Sequence, residues 1–85
     1  MAQKYILEHS AGENPFALFL SWGPPHNPYD TAPEQYKNYF ADPSKLQLRP
    51  NVSAEFYKQA KHDLAGYYSH IAALDHYVGD LLQTL

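Results

Sequence analysis

The sequence predicts an α/β fold. It reads as part of a larger α/β domain, mostly helical, with one core strand over about residues 16–22 and a long C-terminal helix over about residues 54–84. Three observations carry this. "FALFLSW" (residues 16–22) is a near-continuous apolar run of strand length, the pattern of a strand covered on both faces. Apolar residues then recur at three- and four-residue steps from Phe56 to Leu85, the pattern of an amphipathic helix. No second run is a convincing partner for the strand, yet nearly all buried backbone N–H and C=O groups in native proteins are paired. Residues 1–85 therefore read as an internal segment, not a complete domain.

The elements follow in order. Ala2, Tyr5, Ile6 and His9 have helical spacing and predict a short N-terminal helix, with Gly12 of "SAGEN" as its stop. Pro15, Gly23 and Pro24 flank the apolar run and favour a strand over a buried helical turn. Residues 24–50 hold six of the seven prolines, so long regular elements are not expected there. "APEQYKNYFA" accommodates a short helix, with Thr31 as N-cap, Pro33 in the first turn and Glu34 three residues past the cap. "KLQLRPNV" alternates weakly and predicts at most a short edge strand ending at Pro50.

Ser53 is placed to cap the last helix. Its apolar stripe includes Leu64, Tyr67, Tyr68, Ile71, Leu74, Val78, Leu81 and Leu82. Lys58, Lys61, His62, Ser69, His76, Asp80 and Gln83 take the opposite side, and Asp75 falls on the inner side. Gly66 and Gly79 each cost about 1 kcal/mol relative to alanine within a helix. They are candidates for a close backbone approach.

Composition narrows the function classes. A chain without cysteine has no disulfide, thiolate metal site or cysteine nucleophile. The net charge is −3 and the six basic residues are scattered, which argues against a nucleic-acid partner. No stretch approaches the roughly 20 apolar residues of a membrane span. "MAQKYILEHS" has no signal-peptide core, because Lys4 and Glu8 interrupt it. The apolar run predicts that the isolated chain self-associates through residues 16–22 or is only partly folded.

The chemistry concentrates in "GPPHNPYD", at the carboxyl end of the predicted strand, where parallel sheets bind ligands. Two prolines stiffen the loop and hold His26 with little freedom to lose. Its imidazolium suits an anion, and its neutral ring donates one hydrogen bond or accepts a proton. By itself, a lone histidine in a proline-rich loop reads as a surface or packing residue. Ser21, His26 and Asp30 are too close in sequence to be read as a triad. His62, His70 and His76 lie on different helix faces and do not form an i, i+4 metal pair. His76 and Asp80 read as an exposed i, i+4 pair. "NVS" (residues 51–53) matches the N-glycosylation acceptor, a pattern too short to carry weight.

"NPFALFLSWGPPHNPYD", then "LRPNV", then "DLAGYYSHIAALDHYVGDLLQTL" resemble an internal stretch of the type I sulfatases, arylsulfatase-like members of the alkaline phosphatase superfamily. The resemblance covers nearly the whole chain from Asn14. It implies a partial sulfatase domain with an alkaline-phosphatase-like α/β fold and a sulfate ester as substrate. It implies that His26 is the family's active-site loop histidine, which contacts the sulfate or helps protonate the leaving group. Asn27 and Tyr29 would lie beside the leaving group, with Asp30. Asp75 and Gly79 carry over as structural.

The resemblance also implies calcium and a formylglycine, and a periplasmic, secreted or lysosomal location. The residues for both cofactors are missing here. There is no cysteine, no "S-x-P-x-R" and no adjacent aspartate pair. The parent is accordingly expected to be a sulfuric ester hydrolase, and the 85-residue chain alone to be inactive. The alternatives are a phosphate or phosphonate ester hydrolase of the same superfamily, and a stand-alone helical protein-interaction module.

Overall fold

The computed structural model describes all 85 residues. Three α-helices are present: α1 (Ala2–Ser10), α2 (Glu34–Lys37) and α3 (Tyr57–Thr84). Four single 3₁₀ turns, at Tyr29–Thr31, Asn38–Phe40, Pro43–Lys45 and Ala54–Phe56, fill in between them. The long helix is the spine, and everything else lies along it. The molecule measures 59 × 22 × 19 Å, with a radius of gyration of 17.5 Å. A compact chain of this length has a radius nearer ~12 Å. Only seven residues are buried, so most of α3 has no layer of chain over it.

The structure corrects the predicted fold class. The chain is all-helical, and the α/β reading with a core strand at residues 16–22 does not hold. The reason lies in backbone pairing. A strand exists only beside a hydrogen-bonded neighbour. None of the ten backbone hydrogen bonds outside the helices involves residues 13–22. The expected edge strand near residues 45–52 is also irregular. It ends in a turn closed by the Val52 N–H on the Arg49 carbonyl (3.2 Å). The apolar run is left unpaired, with Phe19 94% exposed and Leu18, Leu20 and Trp22 also open to solvent.

The helices form where the spacing places them. Helix α1 buries Ile6 and packs on the far end of α3, where the Gln3 side-chain amide donates to Thr84 Oγ1 (3.1 Å). Tyr5 stacks on His9 (centroids 3.9 Å apart), and the Phe16 ring meets Tyr5 edge-on at 5.8 Å. The chain therefore folds back after Gly12. Helix α3 spans 28 residues behind a 3₁₀ turn. Ser53 stands at the cap position, but its hydroxyl caps nothing.

The buried stripe of α3 is not the apolar one. Ala65, Ser69, His70 and Ala73 are buried, whereas Tyr67, Tyr68, Ile71, Val78 and Leu82 are exposed. Asp75, expected on the inner side, is exposed too. Small side chains let the loop backbone come close to the helix, and that contact sets which face is covered. His76 and Asp80 do pair, at 3.5 Å on the surface.

Candidate functional site

Residues 23–31 form the loop that carries His26. A turn opens it, with the His26 N–H donating to the Gly23 carbonyl at 3.1 Å. The Pro24–Pro25 and Asn27–Pro28 peptides are both cis. The His26 ring is exposed, and its Nδ1 lies 2.8 Å from the Asn27 carbonyl oxygen. A carbonyl oxygen can only accept, so Nδ1 carries the proton. This assigns the other nitrogen its role. Nε2 holds the lone pair when the ring is neutral and a second N–H when it is charged.

The far end of the loop is fastened to α3 at two points one helical turn apart. At the first, Gly66 faces Tyr29. A β-carbon on Gly66 would lie 2.8 Å from both the carbonyl carbon and the β-carbon of Tyr29, and closer still to its carbonyl oxygen. No other residue type fits there without movement. At the second, His70 is 4% exposed and its Nε2 stands 3.3 Å from both the Pro28 carbonyl and Thr31 Oγ1. The Thr31 hydroxyl itself donates to the Pro28 carbonyl at 3.0 Å. The acceptor-only carbonyl again fixes the tautomer, so the His70 Nε2–H is shared between these two oxygens. Both lone pairs of the Pro28 carbonyl are used. Ala32, 3% exposed, seals the joint.

The sequence-predicted site residues separate here. His26 and Asn27 are exposed at the loop tip, where Asn27 serves His26 through its carbonyl. Tyr29 turns inward, with its ring edge-on to Tyr67 (centroids 6.3 Å apart). It also lines an open hollow of about 550 Å³ with Arg49, Asp63, Tyr67 and Tyr68. No hydrogen bond or ion pair joins His26 to Ser21 or Asp30. Thr31 does not cap a helix. Pro33 takes the cap position of α2, and the Thr31 hydroxyl goes to the loop and His70.

His70, Thr31 and Gly66 were not singled out as site residues from the sequence. The available signal was the small-residue stripe Ala65, Gly66, Ser69 and Ala73, which admits a close-lying segment and contains His70 within it.

The donor set does not fit the cofactors that the resemblance implies. No group of three or more His, Asp or Glu side chains comes together to hold a metal ion. No cysteine is present, and no serine lies in an "S-x-P-x-R" context to become formylglycine. No helix is long and apolar enough to cross a membrane.

A helical segment with a fastened histidine loop is what the geometry defines, and comparison with known proteins relates that segment to a sulfatase. The relative is an ulvan-active sulfatase of Formosa agariphila, 36% identical over 84 residues. The match covers 99% of this chain and 16% of that protein. No protein-family model and no solved structure matches the chain.

Proposed function

We propose that the chain is the loop-bearing segment of a type I sulfatase and that His26 acts on the sulfate ester. The reading is supported by an exposed imidazole whose Nδ1 is already committed to Asn27, in a chain related to a stretch of sulfatase. Sulfate oxygens only accept hydrogen bonds. Binding one at His26 therefore requires the Nε2–H of the charged ring. In hydrolysis the same proton passes to the ester oxygen as its bond to sulfur breaks. The ring is left neutral, with Nδ1–H still on the Asn27 carbonyl. The Asn27 carbonyl orients the ring through Nδ1, a preorganised contact of the kind that stabilises developing charge. The nucleophile, and any calcium or formylglycine, belong to residues outside these 85.

The relative is named for activity on ulvan, so ulvan is the first substrate to assay, followed by simple aryl sulfates. In the full-length sulfatase that contains this segment, His26→Ala is expected to lower kcat/KM by ~10²-fold or more. A loss below about threefold removes His26 from the mechanism, since one transition-state hydrogen bond is worth more than that. An enzyme that cleaves phosphate or phosphonate esters but no sulfate ester replaces the substrate class and leaves the role of the loop intact.

A further inference from the structure

We infer that His70, buried against the underside of the loop, is the positioning residue that sets His26. The inference rests on the sulfatase reading for its kinetic test and on geometry alone for its spectroscopic one. Between Gly23 and Thr31 the loop backbone makes a single backbone hydrogen bond outside the Tyr29–Thr31 turn, that of His26 to Gly23. Its other hydrogen bonds come from side chains, and two of them converge on the Pro28 carbonyl. The Pro28 carbonyl accepts from Thr31 and from His70, and Pro28 follows directly on Asn27, whose carbonyl holds the His26 ring.

The chain of contact from α3 to the reactive nitrogen is therefore short and continuous. It runs from the His70 Nε2–H to the Pro28 carbonyl, through one residue of backbone to the Asn27 carbonyl, and from there to the Nδ1–H and ring of His26. Gly66 presses on Tyr29, the next residue along, and blocks the loop from sliding toward the helix. His70 lies on a rigid 28-residue helix and is buried, so its own ring has little freedom. A polar group kept in a stripe of small residues, with its one ring proton spent on the loop, has no packing function that leucine would not serve.

Three variants test this. His70→Leu keeps the bulk and removes the donor. His70→Gln restores an N–H donor near the Nε2 position. Thr31→Val removes the hydroxyl at an exposed position, should the His70 variants fail to fold. In the full-length sulfatase, His70→Leu is expected to lower kcat at least ~10-fold with KM changed less than threefold, because a misplaced His26 fails chiefly at the proton transfer, which occurs only in the transition state. His70→Gln is expected to recover most of that loss, and Thr31→Val to lower kcat by a smaller factor in the same direction. Equal kcat for His70→Leu and wild type, compared at the same folded fraction, overturns the inference.

The second readout uses the 85-residue chain and no substrate. Long-range ¹H–¹⁵N spectra of the imidazoles report which ring nitrogen carries the proton. In wild type, His26 is expected as the Nδ1–H form and His70 as the Nε2–H form. His70→Leu and Thr31→Val are each expected to shift the His26 ring signals while those of His9, on α1, stay in place. His26 signals unmoved in both variants overturn the inference, whatever ester the enzyme cleaves. Absence of any sulfatase activity in wild type, with His26 signals that do move, overturns the functional reading and keeps the positioning.

Discussion

Residues 16–22 and residues 23–31 are consecutive in the chain and are held in opposite ways. The first stretch is almost wholly apolar, yet it has no backbone partner and leaves Phe19, Leu20 and Trp22 in solvent. The second is polar and rich in proline. It is fastened to α3 through Pro28, Tyr29 and Thr31. Hydrophobicity therefore does not decide which segment is fixed in this chain. What decides is whether a complementary surface lies within reach. The loop meets a stripe of small residues with a glycine and a histidine at matching heights. The apolar run finds only an edge contact between Phe16 and Tyr5, and no strand to pair with.

The sharpest way to break the comparison acts on the glycines of α3, where one substitution is expected to give opposite results at two positions. Gly66→Ala drives a β-carbon into the Tyr29 backbone, and overpacking of that kind costs ~1–3 kcal/mol. Gly79→Ala meets nothing within 4 Å and gains ~1 kcal/mol of helix propensity. For a chain of this size, each kcal/mol moves the thermal midpoint by ~4–8 °C. The two variants should therefore shift in opposite directions in a thermal unfolding scan followed by circular dichroism at 222 nm. Equal shifts of the same sign would mean that the loop is not pressed on the helix at Gly66.

The same pair of glycines shows what was legible in the sequence. Both stood out as candidates for close approach, and one of them is. The two amphipathic helical patterns were readable because their spacing is local, so α1 and α3 lie close to where periodicity places them. That residues 23–31 form a loop was readable because three prolines and a glycine crowd around His26. The fold class was not readable. An apolar run of strand length reports only that its residues avoid water, and strand formation depends on a hydrogen-bonded neighbour that the run cannot encode. The face of α3 that is covered was misread for a related reason. Its large apolar side chains advertise a burial surface, but the loop chose the small ones, because only there does backbone fit against backbone. His70 was hidden by the same error, since its position counted as neither apolar stripe nor charged face.

The apolar run gives the next test. An unpaired hydrophobic segment with open edges is a site of association between chains. At micromolar concentration the free chain is expected to scatter light as a dimer or larger species. Phe19→Asp, at the most exposed position, should return it to the monomer mass. Because the run does not support the loop, the helix content at 222 nm should change little. A monomer in wild type would show that exposure at residues 16–22 is tolerated. Loss of helix in Phe19→Asp would show that the run packs after all.

The smallest effect belongs to a third stretch, fastened by charge rather than by shape. Asp42 caps the turn at Pro43–Lys45, accepting from the Ser44 N–H (3.1 Å) and the Ser44 hydroxyl, and Lys45 lies 3.7 Å away. These contacts, the Ser44 hydroxyl foremost, hold the Asp42 carboxyl below its ordinary value of 3.8, against a smaller opposing effect of burial. A carboxylate whose folded value is depressed adds stability that is fully present above the unfolded value. That stability is lost as the pH falls through the folded one. The turn should therefore be intact at neutral pH and loosen only below about pH 4, in the range where carboxylates titrate. The Lys61 Nζ donates to the Ser44 carbonyl at 2.7 Å, which ties this turn to α3. Loosening is therefore expected as faster amide exchange at Ser44 and Lys45, and as a shift at the Lys61 ammonium, with the loop at residues 23–31 undisturbed. Asp42→Asn keeps an acceptor oxygen and removes the charge, and should flatten this acid response. An unchanged response in Asp42→Asn would assign the acid sensitivity to another group and leave the turn held by its backbone alone.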